Sequence, residues 1–172
     1  MDAVDQILRQ WGEARPDLDV APMGVVGRIS RISRHMSRAM EETFAAHGLN
    51  GPGFDVLATL RRSRPPHALS PGELIAQMMI SSGTMTNRID QLELAGLVTR
   101  SVNPRDARGA IVGLTDGGFA VIDAAVTDHV ATQARLLAVL SSSEAAALDR
   151  LLSAYLTRSE GNVTDARSSA GE

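Results

Sequence analysis

The sequence predicts a mainly α-helical protein carrying one small β-hairpin. Two observations predict it: apolar residues recur every three or four positions along almost the whole chain, and they switch to period two at a single place, between about 97 and 114. A third bounds the core: aromatic residues are only 3% of 172, so the interior is aliphatic.

Taken in order, Val4, Ile7, Leu8 and Trp11 form one apolar stripe on a short helix over 2–14, ended by Arg15-Pro16-Asp17. A long helix spans 20–47, with Val25, Ile29, Ile32, Met36, Met40 and Phe44 on one side. Arg28, Arg31, Arg34 and Arg38 share a separate arc of that helix, which reads as a solvated stripe or the border of a cleft. After a turn at Gly48–Gly51, Pro52 opens a helix to about Arg64 with Phe54, Leu57, Ala58 and Leu60 inward; Pro65-Pro66 breaks the chain.

Two short helices follow. Ser70-Pro71-Gly72-Glu73 is a capping box that starts one running to about Met78. Ser81-Ser82-Gly83 starts the next, which runs to Leu94 and stops at Gly96. The β-like stretches 97–101 and 110–114 flank an eight-residue polar loop, 102–109, with Arg105 and Arg108 at its tip. Helices over 115–140 and 143–157 come last, and the Ser-, Gly- and Asp-rich tail 159–172 is expected to be disordered.

Composition removes several function classes. There is no cysteine, hence no disulfide framework, thiolate metal site or thiol catalysis. No apolar run approaches the roughly 20 residues of a membrane span, and the acidic N-terminus lacks a basic apolar leader, so a cytoplasmic protein without membrane contact is expected. Histidines 35, 47, 67 and 129 are scattered, which argues against a metal site, and no cofactor motif or nucleophile–base pair stands out. An enzyme is the remotest reading. The net charge of −3 excludes a globally basic nucleic-acid binder but not a local basic face. All 17 basic residues are arginine, whose planar fork suits phosphate and carboxylate.

Short helix, turn, short helix and two-stranded hairpin is the order of a winged helix-turn-helix. The helix from Ser81 is then the reader: Met85, Ile89, Leu92 and Gly96 face the core, while Thr84, Asn87 and Gln91 point away, with side chains suited to base edges. Ser81 and Ser82 at its N-terminus suit a phosphate. Arg105 and Arg108 on the hairpin tip suit a minor groove, and Arg61, Arg62 and Arg64 suit sequence-independent phosphate contacts. Packing alone could also explain the helix pair; the arginine-tipped hairpin favours DNA.

Residues 25–157 resemble the MarR family of winged-helix transcription regulators. The carrying residues run from Ser81 to Glu93, through Ala95-Gly96-Leu97-Val98, and over Pro104-Arg105-Asp106-Ala107-Arg108-Gly109 to Leu114-Thr115. The resemblance implies a homodimer on a pseudo-palindromic operator, usually a repressor released by a small anionic or phenolic ligand. It also places Thr86 and Arg88 among the DNA-contacting positions. On this reading 1–19 is an N-terminal extension helix, 20–51 and 115–158 build the dimer, and 52–114 binds double-stranded DNA. The apolar flanking helices agree, being more than one small core requires.

The extension with Trp11 further resembles the urate-responsive subgroup of that family. The subgroup's ligand positions fall here on Trp11, Asp55, Arg88 and Arg100, and the implied effector is urate or a related purine. The chemistry is consistent: a purine needs a flat apolar surface, and an anion needs an arginine fork. Asp55 is expected to pair with Arg88 in the free protein. Each residue has a plainer role too: Trp11 as a staple for the extra helix, Asp55 as a favourable acid in a first helical turn, Arg88 and Arg100 as DNA contacts. The alternatives are the same fold answering to a phenolic or aromatic acid, and a winged-helix protein-interaction module that never touches DNA. An oxidant sensor is disfavoured without cysteine.

Overall fold

In a computed structural model, residues 1–78, 82–103 and 106–169 are described, with 82, 106–108 and 161–169 described by backbone alone. The helices are α1 (Ala3–Ala14), α2 (Ala21–Ala46), α3 (Gly51–Arg62), α4 (Pro71–Met78), α5 (Ser82–Leu94), α6 (Asp116–Leu137) and α7 (Ser142–Ser169). The strands are β1 (Ala68–Leu69), β2 (Val98–Asn103) and β3 (Asp106–Leu114). The chain divides into two compact units, Met1–Thr132 and Gln133–Glu172.

The first unit is built around an aliphatic core. Val56, Leu57 and Leu60 of α3, Leu74 of α4, Met85 and Ile89 of α5, Val112 of β3 and Ile122 of α6 are all fully buried. At about 1.5–3 kcal/mol for each large apolar side chain, these contacts fix α5 against α3. Phe44 stacks on Phe54 with ring centroids 4.2 Å apart, and the His129 ring lies 4.8 Å from Phe54.

Local signals start and stop the helices. Asn50 caps α3, its Oδ1 accepting the Gly53 N–H at 2.8 Å. The capping box of α4 is formed: Glu73 accepts the Ser70 N–H at 2.7 Å, and the Ser70 hydroxyl accepts the Glu73 N–H at 3.3 Å. Gly96, with φ +71°, ends α5 in the left-handed region and lets the Leu97 N–H reach the Leu92 carbonyl at 2.9 Å.

At the N-terminus, Asp2 and Asp5 form a reciprocal cap on α1, and both carboxylates hold the Arg28 guanidinium of α2. Gly24 lets α1 approach closely; a Cβ there would lie 3.1 Å from Leu8. Arg28 is therefore a helix-docking residue, while Arg38 pairs with Glu42 one turn on.

Three features differ from the sequence expectation. The hairpin belongs to a three-stranded antiparallel sheet, ordered β1-β3-β2, with Ala68 opposite Gly113 and Leu69 opposite Val112. A strand of two residues is too short to show alternation. The hairpin strands also run into the stretch expected as an eight-residue loop: Val102 pairs with Ala110 and Asn103 with Asp106, across an irregularity at Val102/Asn103. Backbone pairing on a solvated ladder needs no apolar alternation, so polar residues hid it. Finally, α7 continues to Ser169 beyond the expected end near Thr157. No proline interrupts that stretch; Gly161 is its costliest residue for a helix, at about 1 kcal/mol, and the polar residues cost less each.

Candidate DNA-reading face and effector residues

The reading helix α5 divides as its periodicity requires. Met85, Ile89 and Leu92 are buried, while Thr84, Thr86, Asn87 and Gln91 are exposed. The amide side chains of Asn87 and Gln91 therefore stand free of the core, on a surface able to meet base edges. Ser81 and Arg105 lie outside the described residues, and at Ser82 and Arg108 only the backbone is described.

Arg88 occupies one flank of α5 and is half-buried. It makes no hydrogen bond or ion pair among the described residues. It lines a cavity of about 140 Å³ together with Leu49, Pro52, Gln91, Leu92 and Leu97. Asp55 lies in the second turn of α3, not in the first as expected, and within electrostatic reach of Arg88. The expected Asp55–Arg88 ion pair does not form among the described contacts. The Asp55 carboxyl is shifted above its ordinary range, first by desolvation; the charges of Arg88 and then Arg62 oppose the shift, so Arg88 does not act on it alone.

Arg100 behaves differently. Projecting from β2, it gives one amine to Glu93 at 2.7 Å and the other to Asp90, both on α5. Trp11 is 42% exposed on α1. Of the four residues expected to share an effector, only Arg88 lines the cavity; Trp11, Asp55 and Arg100 do not.

Sequence reasoning missed Asp90 and Glu93. The available signal was two acids three residues apart on α5, facing an arginine in the strand that follows. It also grouped Arg61 with the phosphate-contacting arginines. In the structure Arg61 donates to Asp123 at 2.7 Å and lies over the Phe119 ring at 4.4 Å, so its charge is used internally. Among the described residues there is no cluster of three or more metal-ligating side chains, and no helix is long and apolar enough to cross a membrane.

A buried helix pair, a second helix with an exposed polar face, and a strand pair packed beside it define a winged helix-turn-helix DNA-binding protein. A sequence profile described as the MarR family matches residues 47–109. The transcriptional regulator PecS of Dickeya dadantii is 42% identical over 149 residues, covering 87% of this chain and 90% of that protein. The chain belongs to the MarR family of transcription regulators, and its relatives are regulators rather than enzymes.

Two solved structures support the fold. A mutant form of MarR from Escherichia coli, complexed with operator DNA, matches with a TM-score of 0.67 at 27% identity, over 85% of this chain and 97% of that one. AbsC of Streptomyces coelicolor matches with a TM-score of 0.74 at 22% identity, over 84% and 97%.

Proposed function

We propose that this chain is a homodimeric repressor that holds a pseudo-palindromic operator and releases it when a small anionic ligand binds, with urate or a related purine the first candidate. The observation that carries the ligand reading is Arg88. It is a guanidinium without an ion-pair partner among the described residues, on the wall of a cavity, and part of the helix that reads DNA. An anion drawn to it acts on the reading helix directly and meets the field of Asp55 as it arrives.

Trp11 and Arg100 complete the proposed contact set. Trp11 offers an accessible flat ring. An anion reaches Arg100 only by displacing Asp90 and Glu93. Thr84, Thr86, Asn87 and Gln91 are proposed to contact DNA, with Ser81, Ser82, Arg105 and Arg108 as their proposed partners at the helix start and hairpin tip. Dimer formation is supported by apolar faces that each unit leaves uncovered: Val25, Val26, Ile29 and Ile32 on α2, and Leu151, Leu152, Tyr155 and Leu156 on α7.

The test is a mobility-shift assay on the DNA upstream of the chain's own gene, with and without urate, xanthine and salicylate. Release by urate or xanthine supports the purine reading, and release by salicylate alone replaces it with an aromatic acid. An Asp55→Asn or Arg88→Ala protein that still releases DNA at the wild-type urate concentration counts against the proposed coupling.

A further inference from the structure

We propose that Arg100 is a positioning residue for DNA reading: from the first strand of the wing it grips Asp90 and Glu93, and so fixes the roll of α5 beneath the wing.

Both ends of this latch are anchored. Arg100 stands opposite Val112 of β3 in the ladder, and Val112 is fully buried, as is Val98 two residues before Arg100. Asp90 and Glu93 lie three residues apart on α5, about 60° around its axis by helical geometry. Asp90 is also three residues from Asn87, so the gripped flank adjoins the reading face. Arg88 occupies the other flank, on the cavity wall.

The contact is two-pronged, one guanidinium amine to each carboxylate. A planar fork held at two points constrains direction as well as distance. A helix roll of about 20° moves a carboxylate some 6 Å from the axis by about 2 Å, enough to break such a contact. The same roll displaces the exposed amides of Asn87 and Gln91 by a similar amount, and hydrogen bonds to base edges tolerate far less.

The side chains involved are part-exposed, 34% for Arg100, 54% for Asp90 and 39% for Glu93. Exposed pairs contribute little to global stability. The latch therefore shows itself in discrimination between DNA sequences rather than in melting temperature. The inference rests on DNA binding alone, whatever the effector.

Charge gives the test opposite signs for the two roles of Arg100. If it simply touches a phosphate, neutralising the nearby acids removes repulsion and tightens binding. If it is a latch, neutralising them loosens the reading helix. The experiment uses the full chain and the duplex that the wild-type protein selects from a random pool. Affinity for that duplex and for a random duplex of equal length is measured across a salt series for Arg100→Gln, for Asp90→Asn with Glu93→Gln, and for the triple variant. The expected result is a loss of about tenfold in the ratio of selected to random affinity for both charge-removal variants, mid-range for groups in direct contact. The triple variant is no worse than Arg100→Gln, and the salt slope stays at the wild-type value in all. Tighter operator binding by the acid-neutralised variant overturns the proposal. So does an Arg100→Gln salt slope reduced by about one, the mark of a lost phosphate contact.

Discussion

Gly118, in the first turn of α6, lies against the carbonyl of Leu97, where a Cβ would come within 1.8 Å of the oxygen. The same corner is tied by Thr115, whose N–H donates to the Leu97 carbonyl at 3.2 Å and whose hydroxyl donates to the Gly96 carbonyl at 2.8 Å. The Gly118 N–H donates in turn to that hydroxyl oxygen at 2.9 Å. The blocking atom is backbone, so it cannot swing aside. Gly118→Ala is expected to cost about 3 kcal/mol or more, at or above the top of the usual range for overpacking. A lowered urea midpoint at unchanged slope checks it.

Arg61 and Arg64 separate a structural arginine from one available to DNA. Arg61 is engaged by Asp123 and the Phe119 ring, whereas Arg64 is exposed just after α3. Arg61→Gln is expected to lower stability by about 0.5–2 kcal/mol and to leave the salt dependence of DNA binding unchanged. Arg64→Gln is expected to leave stability unchanged and reduce the salt slope by about one. Thermal melts and a salt titration of both variants check the pair.

Ser70 and Glu73 hold the start of α4, the helix that precedes the reader. Ser70→Ala removes the side-chain acceptor for the Glu73 N–H and is expected to cost about 1 kcal/mol. Hydrogen exchange locates the loss: the first-turn amides of α4 should exchange faster while those of α3 keep their protection.

Asp55 carries a pH signature. Its folded pKa lies above the ordinary 3.8, because desolvation outweighs the attraction of Arg88 and Arg62. An acid of this kind destabilises the fold when ionised. The penalty is absent below the unfolded pKa and fully present above the folded one. Asp55→Asn is therefore expected to raise the melting temperature at pH 7 and to give no gain at pH 3. The side chain is partly exposed, so screening keeps the gain below about 1 kcal/mol.

Much of this molecule was legible from residue order. The 3.6 period placed the helices, the Ser70–Glu73 box placed the start of α4, and the spacing of Met85, Ile89 and Leu92 gave the buried side of α5. Pairings across elements were not legible. The grip of Arg100 on Asp90 and Glu93 depends on where the strand turns back over the helix, and periodicity carries no such distance. The use of Arg61 by Asp123 spans 62 positions of sequence, so a cluster of three arginines looked like one basic patch. The short strand at Ala68–Leu69 was invisible for want of length.

That short strand makes β3 the central strand, flanked by the α3–α4 connection on one edge and β2 on the other. The Leu114 N–H also donates to the His67 carbonyl, at 3.4 Å. The base of the wing is thus stitched to the loop that launches α4, and tugging on one strains the other. Slow-exchanging amides should concentrate near Val112 and vanish only when the helical body itself opens, which makes the base of the wing a gauge of the whole unit's cooperativity.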